Sequence, residues 1–110
     1  MPSKSQKKGR RGEIELAELL NSCGYNVRPG RALSFGEQPD IIGLEGVHIE
    51  VKRCQALRLS EWMKQAIRDS EKFQDGEPAV FHRRNREGWL VTMPLESWLR
   101  IYDQNCKQTD

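Results

Sequence analysis

Apolar and polar positions alternate between helical and strand-like spacing along the chain. Across residues 11–23, Ile14, Leu16, Ala17, Leu19, Leu20 and Cys23 recur at helical intervals, and Gly24 follows as a stop. This predicts a first helix with Cys23 in the core. Residues 25–28 read as a short strand, and residues 29–37 (PGRALSFGE) as a Gly/Ser loop. Residues 40–43 and 47–53 predict two strands of one hairpin. Ser60 then caps a second helix whose Trp62, Met63, Ala66, Ile67 and Phe73 form an apolar stripe ending near Gly76. Two more strands, at 79–81 and 89–91, flank the basic turn RRNREG. Pro94 opens a last amphipathic helix carrying Leu95, Trp98, Leu99 and Tyr102. The order α-β-β-β-α-β-β-α predicts an α/β fold, a central mixed β-sheet flanked by helices.

The hairpin carries three charges that packing alone does not require. If it turns through Leu44-Glu45-Gly46, with Gly in the last, left-handed position, Gly43 sits opposite Val47 and Asp40 opposite Glu50. Opposed residues have side-chain bases about 5 Å apart on one face, and Lys52 lies about 7 Å farther along the strand. Ile41, Val47, Ile49 and Val51 fall on the other face, a buried packing surface. Two opposed carboxylates repel each other, and a hard divalent cation between them relieves the repulsion. With open coordination positions such a site is catalytic, and Lys52 can offset the charge that grows on a scissile phosphate. Helical projection places Glu13 in line with Ala17 and Leu20, facing inward, while Glu15 and Glu18 point away. Glu13 is either a further metal or water ligand or a favourable charge near a helix N-terminus.

Length and charge narrow the setting. The chain has 110 residues, the size of one domain, and a net charge of only +2 with 31% charged residues. Lys4, Lys7, Lys8, Arg10 and Arg11 all precede the first acid, Glu13, so residues 1–10 are expected to form a flexible basic arm. Residues 11–103 then make the domain, and 104–110 a C-terminal tail. Cys23, Cys54 and Cys106 show neither paired nor zinc-ligand spacing. No apolar run is long enough for a membrane span or a signal-peptide core, which predicts a soluble, cytoplasmic protein.

Several residues admit two readings. Gln65 follows the E-x-K strand on the second helix, and is either a support for the site or a surface residue flanking the stripe. His82, Arg83, Arg84, Asn85 and Arg86 form a basic tip, suited either to phosphate contacts or to a solvated turn. His48 shares the face of Glu50, where a lone strand His is more often a satisfied polar group than a ligand. Trp62, Trp89 and Trp98 lie on apolar stripes and are expected in core or dimer packing rather than in base stacking.

PD followed by EVK resembles the PD-(D/E)xK nuclease signature. The stretches KKGRRGEIELAELL, GYNVRPG, PDIIG and HIEVKR are similar to archaeal-type Holliday junction resolvases, and MKQAIRDS with PAVFHRRNREGWLVTMPLESWL to their small phage and prophage relatives. The resemblance implies a restriction-endonuclease-like fold and a homodimer that nicks branched DNA, a four-way junction, symmetrically with Mg²⁺, for which Mn²⁺ can substitute. It implies metal ligation by Asp40, Glu50 and Glu13, and a catalytic Lys52. Ser34 and Gln65 are candidate supports. Lys7, Lys8, Arg10, Arg11, Arg31, Arg53, Arg83, Arg84 and Arg86 would contact DNA. A nicking or flap nuclease of the same fold, a non-catalytic DNA-binding module, and a structural dimer with a buried ion-pair network are the rival readings.

Overall fold

The computed structural model describes residues 4–30 and 38–107. In chain order the elements are α1 (Lys4–Ser22), β1 (Arg28–Pro29), β2 (Ile41–Ile42), β3 (Val47–Arg53), α2 (Leu59–Phe73), β4 (Glu77–Arg83), β5 (Leu90–Thr92) and α3 (Leu95–Lys107). The strands form one sheet in the order β1-β2-β3-β4-β5. β3 and β4 are parallel and every other pair is antiparallel. Parallel neighbours need a long crossover, which α2 provides. The predicted element order and mixed sheet are those observed.

The middle strand β3 is covered on both faces. On one, Ile49 and Val51 join Ile41, Val27 and the α1 residues Leu16 and Ala17 in the larger core. On the other, Trp62 and Ala66 of α2 pack on Val80 of β4, which pairs with Glu50. Gly12 lets α1 approach the sheet closely, since a Cβ there would lie 3.1 Å from the Cβ of Arg53. The hairpin register is Ile41 opposite Ile49, the register predicted from the Gly46 turn, and Gly46 has the expected positive φ of 87°.

Five expectations are corrected. The basic arm expected over residues 1–10 is helical from Lys4, because Lys, Gln and Arg are good helix formers and Gly9 and Gly12 only weaken the run. The tail expected from residue 104 continues α3 to Lys107, as no Gly or Pro interrupts it. Cys23 is exposed rather than core, since α1 ends at Ser22 and the chain turns there. Ser60 is inside α2, whose N-cap position is Arg58 with no side-chain cap. The first strand, expected over residues 25–28, starts three residues later and is only two residues long.

Candidate active site

β2 is so short that, among the described residues, no strand continues along its side of β3 beyond Ile49. Asp40 fills this place, its Oδ2 accepting the Val51 N–H at 2.8 Å. Its position is set from the backbone: Gly30 N–H donates to the Asp40 carbonyl at 2.9 Å, and the Gly30 carbonyl accepts from Arg10 Nη1 at 2.6 Å. A Cβ at Gly30 would collide with the Pro39 carbonyl, so this crossing requires glycine.

Glu50 is buried under α2, with only 4% of its surface exposed. Lys52 Nζ lies 3.8 Å from Glu50 Oε2 and donates to Gln65 Oε1 at 2.9 Å. Gln65 is thus the residue that directs the Lys52 ammonium. Burial first, and then the Glu50 charge, push the Asp40 carboxyl up to about 8 from its ordinary 3.8, with Glu13 adding to the push. Burial also raises Glu13 above the usual carboxylate range, against its contact with Arg10, and Glu50 adds to the rise. Glu13 does face inward, and the three acids feel one another's charge. Carboxylates crowded at a concave edge with raised pKa values are short of positive charge, and oxygen donors of this kind fit a hard divalent cation.

A second charged cluster lies beside the first on the same two elements. Glu15 accepts from Arg83 Nη1 at 2.7 Å and from Trp89 Nε1 at 3.2 Å, and Arg53 Nε approaches it at 3.5 Å. Arg53 Nη1 also donates to Asn85 Oδ1 at 2.7 Å. Glu15 therefore turns toward the sheet, contrary to the expectation that it points away, because the basic tip folds back over α1 and draws it in. Arg53 and Arg83 are engaged there and are not free cations. His82 is not part of the tip: it is buried on β4 with Nε2 2.8 Å from Thr92 Oγ1, and burial lowers its pKa. Arg84 and Arg86 are exposed on the tip and Arg11 is exposed on α1. Arg10 is held by Gly30 and by Glu13 at 3.2 Å. Lys7 and Lys8 lie on the α1 backbone, while Arg31 and Ser34 lie outside the described residues.

Sequence reasoning missed Glu15, Asp69 and Asp75. Among the described residues the one group of three potential ligands with all ligand atoms within 4.8 Å of one another is His48, Glu50 and Asp69. His48 Nδ1 is 2.8 Å from Asp75 Oδ2. The signal for Asp69 was its spacing: it lies four residues after Gln65, on the same line of α2.

This sheet, with two carboxylates and a lysine at the open edge of its central strand, defines a PD-(D/E)xK nuclease. The family model described as "Phage putative PDDEXK endonuclease" matches residues 4–109, so the chain belongs to that family of endonucleases. Among solved structures the chain is similar to Hjc, a Holliday junction resolvase from the archaeal hyperthermophile Archaeoglobus fulgidus. The two share 25% identity at a TM-score of 0.57, over 78% of this chain and 72% of that one. None of the curated proteins matches the chain.

Proposed function

We propose that the protein is a Mg²⁺-dependent, structure-selective DNA endonuclease, and within that class a resolvase that nicks four-way junctions symmetrically by phosphodiester hydrolysis. The observation that carries this reading is the pair Asp40 and Glu50, held beside each other at an open sheet edge with Lys52 directed by Gln65. Asp40, Glu50 and Glu13 would hold the Mg²⁺, or Mn²⁺ in its place, which supplies an activated water and neutralises phosphate charge. Lys52 offsets the negative charge that builds on the phosphate in the transition state. A pure DNA-binding module has no use for two carboxylates crowded in this way. Ser34, six residues before Asp40 in the sequence, is a second candidate support.

Arg11, Arg84 and Arg86 are exposed cations suited to sequence-independent phosphate contacts, with Lys7, Lys8 and Arg31 as further candidates. Arg10, Arg53 and Arg83 shape the surface through their partners while adding positive charge. Symmetric nicking calls for two active sites, and an apolar surface on α3 and β5 suits a homodimer. Leu95, Trp98, Leu99 and Tyr102 are exposed on α3, and Leu90 and Val91 on β5. No helix among the described residues is long and apolar enough to cross a membrane, and the proposed setting is the cytoplasm of a bacterial or phage-infected cell.

The test is cleavage of a labelled four-way junction and its matched linear duplex with Mg²⁺, with EDTA, and with Asp40→Asn. Paired symmetric nicks in the junction alone, lost in the last two conditions, are the expected result. Equal cutting of flap or linear DNA would move the protein to a general nicking nuclease, and tight junction binding with no cut in any divalent metal would leave a binding module.

A further inference from the structure

α2 crosses the sheet so that residues four apart on the helix meet residues two apart on β3. Four helical residues rise about 6 Å and two strand residues about 6.6 Å, so the two ladders stay in step. Lys52 meets Gln65, Glu50 meets Asp69, and the His48 ring stacks on Phe73 at 6.3 Å. The first rung belongs to the candidate catalytic lysine. The other two build a different environment.

His48 is 1% exposed, and both oxygens of Asp75 lie within 2.9 Å of its Nδ1. An ionised carboxylate only accepts hydrogen bonds, so Nδ1 carries the proton and Nε2 points the other way. Nε2 is buried with no hydrogen-bond partner. Its neighbour, Glu50 Oε1, is 3.7 Å away, too far for a hydrogen bond. A buried ring nitrogen left unpaired costs free energy, and this one faces Glu50, in a group where one ligand atom each from His48, Glu50 and Asp69 lie within 4.8 Å of one another. A carboxylate that fixes one ring nitrogen of a histidine while the other faces further ligands is the outer-shell arrangement typical of metal-bound histidines.

We propose that His48 Nε2, Glu50 and Asp69 form a transition-metal site, with Asp75 as the residue that orients the imidazole. One nitrogen and two carboxylate donors suit Zn²⁺, Mn²⁺ or Co²⁺, whereas Mg²⁺ prefers an all-oxygen set. The site is distinct from the edge where Asp40 lies and shares only Glu50 with it. The two Glu50 oxygens divide between them: Oε1 faces His48 and Oε2 faces Lys52. An ion on the His48 side therefore fixes the orientation of Glu50 without using the oxygen nearest the lysine.

The experiment needs no DNA, so its outcome is separate from that of the nuclease reading. Zn²⁺ is titrated into the folded protein in excess Mg²⁺ while the ring nitrogens of both histidines are followed by long-range ¹H–¹⁵N NMR, with affinity measured by calorimetry. Expected are one Zn²⁺ per chain, a large shift of His48 Nε2, and an unmoved His82, whose Nε2 is bonded to Thr92. The same response is expected in Asp40→Asn. Affinity should fall by about 10–100-fold in Asp75→Asn, and at least as far in Asp69→Asn, a change on the partly exposed face of α2. Zn²⁺ binding that leaves His48 Nε2 unshifted, or that disappears with Asp40→Asn, overturns the proposal. The wild-type spectrum decides the matter even where a variant fails to fold.

Discussion

Two charged clusters sit side by side on α1 and β3, and they differ in how far their charges are answered. At Glu15 the carboxylate meets two arginines and an indole N–H, and Arg53 has Asn85 besides. At Asp40 and Glu50, by contrast, two carboxylates face each other with Lys52 as the nearby cation, 3.8 Å from Glu50. The first cluster pairs its opposite charges within the protein and holds the β4–β5 tip to α1. The second is left short of positive charge by the fold itself, the expected state of a site completed by metal and phosphate. Glu13 and Glu15 differ by two residues and Lys52 and Arg53 by one, so the same segments serve both.

Substitutions that separate the clusters sharpen this contrast. The largest effect is expected from Lys52→Met, which should lower junction cleavage on the order of 10²–10³-fold while leaving junction binding intact. A single-turnover assay beside a gel-shift titration checks it, and unimpaired cleavage would remove Lys52 from the mechanism. Glu15→Gln should act oppositely, on stability rather than chemistry. Loss of the carboxylate leaves Arg83 and Arg53 unanswered at a half-buried position and should cost about 1–3 kcal/mol, read by urea unfolding. Cleavage at a temperature where the variant is folded should stay near wild type.

The pH dependence of stability has a determined sign. Asp40 ionises near 3.8 in the unfolded chain and at about 8 in the folded, metal-free protein. Between these values the folded state holds the extra proton, so stability is greatest below the lower value and falls as pH rises through the upper one. The loss should be on the order of a few kcal/mol, and Asp40→Asn should flatten it. Unfolding curves collected across that window in EDTA test this, and a variant that is instead plainly destabilised at every pH would favour the buried ion-pair reading.

Gln65→Ala should have a milder effect. It removes one hydrogen bond to a charged group, about 1.5 kcal/mol, and so should slow cleavage about tenfold without altering binding. The smallest effect is expected at the tip, where Arg84→Ala or Arg86→Ala should each reduce the slope of log affinity against log salt by about 1. An unchanged slope would show that the tip is only a solvated turn.

Much of this was legible in the sequence because it depends on local periodicity. The element order, the hairpin register and the inward turn of Glu13 follow from helical and strand spacing and from the left-handed turn at Gly46. Opposed placement of Asp40 and Glu50 follows from the same register. The extents of α1 and α3 did not, because a polar run carries no periodic signal and its helicity depends on propensity alone.

What only the tertiary structure decided are the partnerships between distant segments. Glu15 is joined to Arg83 and Trp89 across 68 and 74 residues, and His48 to Asp75 across 27. Nothing in local spacing tells which arginine will meet a given glutamate, because exposed charges satisfy the same pattern whether or not they pair. The chain alone determined which residues are candidates for the chemistry. The packing of α1 and α2 on opposite faces of β3 decided which charges are neutralised within the protein and which carboxylates are left crowded together.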